Sequence, residues 1–247
     1  MGENQKPASS TGPRYWAVIP AAGIGKRIQA STANNTPKQY LKIQGRTILE
    51  HTLLRLKQIN NLAGIVLVLG EDDDWWMQLD DSLRKEIITA KGGEQRVNSV
   101  YRGLQALKDI ASAKDWILVH DAVRPCVALQ DISTLCNELT DMETGGLLAS
   151  PVRETLKKVS SDLMVESTVP REDYWLAATP QMFRYGVLIE AIEKALHDNV
   201  QITDEAHAME YAGYAVKIVQ GSADNIKITH PEDIFMAQQI LNKQARQ

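Results

Sequence analysis

Apolar, β-rich runs alternate with helical periodicity through the first two thirds of this chain, the pattern of a mostly parallel sheet covered by helices on both faces. Tyr15-Trp16-Ala17-Val18-Ile19 reads as a strand, after which Ile48, Leu49, Leu53, Leu56 and Ile59 recur at helical spacing. Ile65-Val66-Leu67-Val68-Leu69 is apolar at every position and reads as a strand buried on both faces. Val97, Val100, Leu104, Leu107 and Ile110 make the next apolar helix face, ahead of the strand Trp116-Ile117-Leu118-Val119. A helix over about 130–143 then leads to Leu147-Leu148-Ala149.

From Ser150 to Ala178 the alternation breaks. Thr155–Val159 and Met164–Val169 flank Ser160-Ser161-Asp162, a turn-forming cluster, so about 150–178 reads as a β-hairpin arm inserted into the α/β body. A lone hairpin has too little core to stand free in water. It either folds back onto its own domain or packs on a second copy of the chain, which makes a homodimer an expectation. Helices at 184–197 and 203–212, a strand at 216–219 and a closing helix opened by Pro231, Glu232 and Asp233 complete the order. Residues 14–247 are thus expected to form a single α/β domain, and the polar segment 1–13 a disordered extension.

Composition narrows the function. Hydrophobic content of 44% and charged content of 23% are ordinary for a soluble globular chain. No apolar run approaches the roughly 20 residues that span a bilayer, so no membrane segment is expected. Cys126 and Cys136 have neither zinc-site spacing nor disulfide-scaffold density and read as reduced thiols of a cytoplasmic protein. The five histidines are dispersed, without an HExxH pattern, which disfavours a protein-held transition metal. Trp75 and Trp76 follow the acidic run Glu71–Asp74, a poor surface for nucleic acid.

With a formal net charge of -4, attraction of a polyanionic substrate must come from local cations and amides. Such a place follows the first strand, in Pro20-Ala21-Ala22-Gly23-Ile24-Gly25-Lys26-Arg27, with Pro37-Lys38-Gln39 downstream. Small residues let backbone N–H groups approach phosphate oxygens, while Arg27 and Lys38 supply positive charge. Arg27 stands where a Walker A loop needs Ser or Thr, and Ile28 where a dinucleotide fingerprint carries its third glycine, so neither class fits. Taken alone, the turn also reads as a plain strand-to-helix link.

Other clusters lie at strand ends or loops, where open α/β sheets bind ligands. Gly92-Gly93-Glu94-Gln95-Arg96-Val97-Asn98-Ser99 is a glycine turn opening onto a helix, suited to a base edge or to simple capping. In His120-Asp121-Ala122-Val123-Arg124-Pro125, Asp121 can hold Mg2+ or a ribose hydroxyl, and Arg124 can grip a phosphate or simply bridge Asp121. Arg153, Thr155 and Arg171 belong to the arm or its roots and read either as edge protection or as part of a neighbour's site. Thr179-Pro180-Gln181, Thr203-Asp204-Glu205-Ala206 and Asp224–Thr229, with Lys227 between apolar neighbours, complete the set.

PAAGIGKR, PKQY, GGEQRVNS, HDAVRP, PVRET, ATPQ, ITDEA and DNIKIT, in this order from about Tyr15 to Leu241, resemble the 2-C-methyl-D-erythritol 4-phosphate cytidylyltransferase family. The resemblance implies a Rossmann-like nucleotidyltransferase fold with a dimerising hairpin arm. It implies transfer of CMP from CTP to a polyol phosphate, with Mg2+ or another divalent cation as cofactor. By resemblance, Arg27 and Lys38 stabilise the pentacoordinate α-phosphate, while Arg171 and Lys227 position the acceptor. Ala21, Ala22, Gly23 and Gly25 wrap CTP, and Gly93, Glu94 and Ser99 face the cytosine. Asp121 and Arg124 lie between ribose, metal and acceptor, with Thr155, Thr179 and Thr203 on the acceptor.

The chemistry agrees. A phosphomonoester has a second pKa of about 6, so the attacking oxygen is already ionised at neutral pH and no strong base is needed. Two other readings have their own tests: a cytidylyltransferase using ribitol 5-phosphate, and a CTP-binding regulatory protein without turnover. A sugar-nucleotide synthase using UTP or GTP differs only in the base pocket.

Overall fold

The computed structural model describes residues 12–23 and 36–246; residues 1–11 of the expected extension, and the candidates Gly25 and Arg27, lie outside them. Strand β1 (Tyr15–Pro20) is buried along nearly its whole length because both faces are covered. Its side chains alternate: Tyr15, Ala17 and Ile19 enter one apolar cluster, Trp16 and Val18 another. A two-stranded turn, β2 (Lys42–Ile43) and β3 (Arg46–Thr47), leads into α1 (Ile48–Leu56). Thr47 and Glu50 close a reciprocal capping box at its start.

Next come β4 (Leu62–Leu69), the short α2 (Asp81–Arg84), β5 (Ile87–Lys91), α3 (Arg96–Gln105), β6 (Trp116–Val119) and α4 (Leu129–Leu139). The alternation of β1 is repeated in β4 and β6, where Ile65, Leu67, Trp116 and Leu118 face α1 and α4. Val66, Val68, Ile117 and Val119 face the other layer, with α3. Truncating one fully buried leucine of this core, such as Leu53, is worth about 2–5 kcal/mol.

The chain continues through β7 (Gly145–Pro151), the hairpin β8 (Leu156–Val159) and β9 (Val165–Val169), then β10 (Trp175–Arg184). Helices α5 (Tyr185–His197) and α6 (Glu205–Tyr211), strand β11 (Lys217–Gln220) and helix α7 (Pro231–Gln244) follow. The seven-stranded sheet runs β11-β7-β10-β6-β1-β4-β5, with β10 antiparallel to both its neighbours and every other pair parallel. A mostly parallel sheet flanked by helices is therefore the architecture.

Two strands escape the sequence pattern. Ile87–Lys91 is short and half exposed, and Trp175–Arg184 carries Pro180, which argues against a strand interior. In the structure the β7–β10 register breaks between Ala177 and Gln181, so Pro180 sits where the ladder is interrupted. The flanks of the segment from 150 to 178 belong to this main sheet: Trp175 pairs with Pro151 and Leu176 with Ser150. Residues between them form the separate β8–β9 hairpin, which is exposed on almost every side chain, with Leu163, Met164 and Val165 at its tip in solvent.

Candidate functional site

The parallel strands β1, β4, β5 and β6 end on one side of the sheet, and the loops that follow three of them build a cleft of about 210 Å³. Its lining includes Ala21, Ala22 and Gly23 after β1, Gly93, Glu94, Arg96 and Ser99 around the start of α3, and Asp121 after β6. Lys38 and Lys227 complete it from the sides. Sequence positions more than 200 residues apart thus meet in one place, since Gly23 and Lys227 both line it.

Each loop is held for a stated reason. Ala21 N–H continues the sheet ladder onto Val68 O at 2.8 Å, and its carbonyl accepts from the buried Gln39 amide at 2.9 Å. The Lys38 segment is in turn fastened by Tyr40, whose hydroxyl donates to Asp73 at 2.9 Å and whose ring stacks on Trp75. Gly92 must be glycine because a Cβ there would lie 2.3 Å from the Ala22 side chain; the two loops touch. Ser99 is turned inward, its hydroxyl accepting from Gly93 N–H at 3.1 Å, so it shapes the Gly92–Gly93 loop as well as lining the cleft.

Asp121 is 7% exposed and faces three cations. Its carboxylate lies 3.4 Å from Arg96 Nε, 3.3 Å from Arg124 Nε and 3.0 Å from Lys227 Nζ. Burial alone would push this carboxyl up, but the charges of Arg96, Lys227 and Arg124 outweigh it and hold the group well below the usual carboxylate range. It is an anion at any working pH.

Below the Asp121 turn lies a network that sequence reading did not reveal. His120 is 0% exposed, and burial pushes its pKa down to about 4, so its imidazole is neutral. Its Nε2 is 3.0 Å from Arg124 O, a carbonyl that can only accept, which places the proton on Nε2. Nδ1 then accepts from the Thr179 hydroxyl at 3.0 Å, and that same oxygen accepts from Asp121 N–H at 3.1 Å. Asn225 ties the remaining strand in, its side-chain amide donating to Thr179 O at 2.7 Å while its main-chain carbonyl accepts from Arg124 Nη1 at 2.7 Å.

Lys227 is presented by a clamp. Ile228 N–H donates to Val123 O at 2.9 Å and the Ile228 side chain is buried with Val123 and Cys126. Asp233 closes the next turn by accepting from Thr229 N–H and His230 N–H. Between these anchors the Lys227 side chain stays 40% exposed.

A second cleft adjoins the first, lined by Arg124, Ser150, Ala177, Ser222 and Asn225, and shares Lys227 with it. Of the other sequence candidates, Thr179 is 4% exposed within the network beneath Asp121, and Thr203 is exposed at the start of α6, beside Arg96. Thr155 and Arg171 sit exposed on the arm, where the Arg171 guanidinium bonds Arg153 O, and neither lines either cleft of its own chain. Arg96, Glu205, His120, Gln39 and Asn225 were missed as site residues. Their only sequence signal was membership of the quoted motifs, because buried partners have no local pattern.

Among the described residues no group of three His, Cys, Asp or Glu forms a metal cage. A Mg2+ ion is commonly bound by one or two carboxylates plus substrate phosphates, and the ionised Asp121 lining the cleft fits that donor set. No helix among the described residues is long and apolar enough to cross a membrane.

A mostly parallel sheet with glycine loops and cations gathered at its strand ends defines a nucleotidyltransferase of the α/β class. The family model for 2-C-methyl-D-erythritol 4-phosphate cytidylyltransferase (IspD) matches residues 15–243, and the chain belongs to this family. A protein of that description from Pseudomonas aeruginosa (strain UCBPP-PA14) is 48% identical over 92% of this chain and 95% of its own length. One from Vibrio vulnificus (strain CMCP6) is 44% identical over 92% and 94%. The Francisella tularensis enzyme of the same description superposes with a TM-score of 0.78 at 34% identity, covering 92% of this chain and 99% of that one. A crystal structure of 4-diphosphocytidyl-2C-methyl-D-erythritol synthase gives 0.80 at 33% identity, covering 94% and 100%. The chain is a cytidylyltransferase.

Proposed function

We propose that the chain transfers CMP from CTP to 2-C-methyl-D-erythritol 4-phosphate, forming 4-diphosphocytidyl-2-C-methyl-D-erythritol and pyrophosphate in isoprenoid precursor synthesis. The observation that carries this reading is the meeting of the β1 loop, the Gly93 loop, Lys38, Asp121 and Lys227 on one cleft. In this reading Ala21, Ala22, Gly23 and Gly25 cradle the triphosphate, and Gly93 and Glu94 face the base with Ser99 holding their loop. Arg27 and Lys38 stabilise charge on the α-phosphate. Lys227, which borders both clefts, and Arg124, which lines the second, receive the acceptor, with Thr203 beside Arg96 and Thr179 acting through the Asp121 main chain.

No side chain is asked to remove a proton. The acceptor phosphate ionises with a second pKa of about 6, and His120 is buried, neutral and committed to Arg124 O and Thr179. Rate enhancement then comes from holding the anionic oxygen in line with the α-phosphate and from fixed positive charge around it. Asp121, together with triphosphate oxygens, would hold Mg2+, which supplies neutralisation of phosphate charge.

The arm completes the reading. Val159, Leu163, Met164, Val165, Tyr174 and Leu176 leave apolar surface in water, and Thr155 and Arg171 stand away from their own chain's clefts. A second copy of the chain covers that surface and receives Thr155 and Arg171 at its acceptor side, making the working unit a homodimer. The unpaired, buried thiols of Cys126 and Cys136 suit a reducing cytoplasm.

Pyrophosphate release from CTP and Mg2+, compared between 2-C-methyl-D-erythritol 4-phosphate and ribitol 5-phosphate, tests the reading. A preference for ribitol phosphate, or CTP binding without release, rejects it; competition by UTP or GTP tests the base pocket.

A further inference from the structure

Arg96 is the first residue of α3, directly after the base loop, and its guanidinium lines the nucleotide cleft. Glu205 is the first residue of α6, 2% exposed and absent from the lining of that cleft. The two meet as a bidentate pair, Nη1 to Oε1 at 2.6 Å and Nη2 to Oε2 at 3.1 Å. With both terminal nitrogens engaged, Nε is left to reach Asp121 Oδ1 at 3.4 Å.

The carboxylate end of this pair is itself immobilised. Asp204 caps α6 by accepting from His207 N–H at 2.9 Å. Gln181 then grips the same turn twice, donating to Asp204 Oδ2 at 2.9 Å and accepting from Ala206 N–H at 2.8 Å. A carboxylate on a fixed turn, matched in fork geometry to a guanidinium, fixes the guanidinium plane.

Charge explains why the arrangement bears on the reaction. Arg96, Arg124 and Lys227 all face Asp121, whose oxygens the nucleotide side needs. Without Glu205, the carboxylate that Arg96 already touches is Asp121, and the guanidinium would turn onto it. We propose that Glu205 is a positioning residue for nucleotide binding: it holds Arg96 off a full pairing with Asp121 and so keeps that carboxylate aimed into the cleft. The proposal rests on the nucleotide-site reading above.

The test is a set of variants measured by circular dichroism, steady-state pyrophosphate release and calorimetric titration with CTP and Mg2+. Glu205→Gln keeps the shape and removes the charge; kcat/KM for CTP and CTP affinity are expected to fall about 10- to 100-fold, as for other outer-shell partners. The acceptor KM should stay within about twofold, and Glu205→Asp should restore part of the loss, which a merely structural role would not produce. The double variant Arg96→Met with Glu205→Gln should be no worse than Arg96→Met alone, since groups acting in series are not additive. Wild-type CTP affinity in a folded Glu205→Gln protein, or losses that multiply, overturns the proposal.

Should Glu205→Gln not fold, Arg96→Met with Glu205→Met removes both charges and avoids a lone buried ion. That protein has no guanidinium to turn onto Asp121, so it is expected to bind CTP within about twofold of Arg96→Met alone, and an affinity about tenfold or more below that of Arg96→Met overturns the proposal. A wild-type chain that binds CTP but releases no pyrophosphate would fail the functional reading, while the CTP titrations would still decide the role of Glu205.

Discussion

Lys227 Nζ lies 3.0 Å from the Asp121 carboxylate, joining the residue expected to receive the acceptor to the one expected to orient the nucleotide. Lys227 borders both clefts, so its charge falls where the two substrates would meet.

Lys227→Met should therefore lower turnover by about 10²–10³, the range for loss of one preorganised charge-stabilising donor. Pyrophosphate release is the measurement. The loss should appear in kcat/KM for the acceptor, with Lys227→Arg recovering part of it, while the thermal midpoint changes little because the side chain is 40% exposed.

Thr179→Val keeps the volume but removes the hydroxyl that sits between Asp121 N–H and His120 Nδ1. Two buried polar groups then lose their partner, at about 1–3 kcal/mol for each. Urea unfolding should show the loss, and Thr179→Ser should restore most of it. A Thr179→Val protein as stable as the parent would show that the network contributes nothing.

His120 makes stability depend on pH in metal-free buffer. Its folded pKa is about 4 because burial disfavours the imidazolium, against 6.5 in an exposed chain. Between these values the unfolded state binds more protons, so stability rises with pH. Its contribution is complete above pH 6.5 and is lost as the pH falls toward 4, a loss of roughly 3 kcal/mol for a shift of this size. The depressed carboxyl of Asp121 loses its contribution only below the usual carboxylate pKa, outside this window. Denaturation midpoints from pH 7 to pH 4 should fall less steeply in His120→Gln than in the parent.

The hairpin arm predicts a mass. Sedimentation should give a dimer, and Met164→Asp with Val165→Asp at the exposed tip should yield a folded monomer with reduced turnover. Charge in an apolar contact is costly unless paired. A parent chain that sediments as a monomer and still turns over would remove the arm from the working site.

Much of the body was legible in the chain because burial on two faces writes itself locally. In β1, β4 and β6 continuous apolar runs announced strands, and the odd and even positions of Tyr15–Ile19 divided between two layers as period two requires. The Gly92 turn and the His120–Pro125 motif were visible as loops at strand ends, where residues of both line the cleft, and the family resemblance added expected roles to them. Strand β10 was not legible, since Pro180 argues against a strand unless one knows that the ladder is interrupted there.

By itself the sequence determined the elements whose signal is periodic and near in the chain: the parallel core strands, their covering helices, and the glycine and cation clusters after the strands. Only the tertiary structure decided that β10 runs antiparallel, that Arg96 pairs with a carboxylate 109 positions away, and that Thr179 sits between His120 and Asp121. The reason is physical. Periodicity follows from backbone geometry within a few residues, whereas a buried polar group chooses its partner from whatever the packed sheet brings beside it.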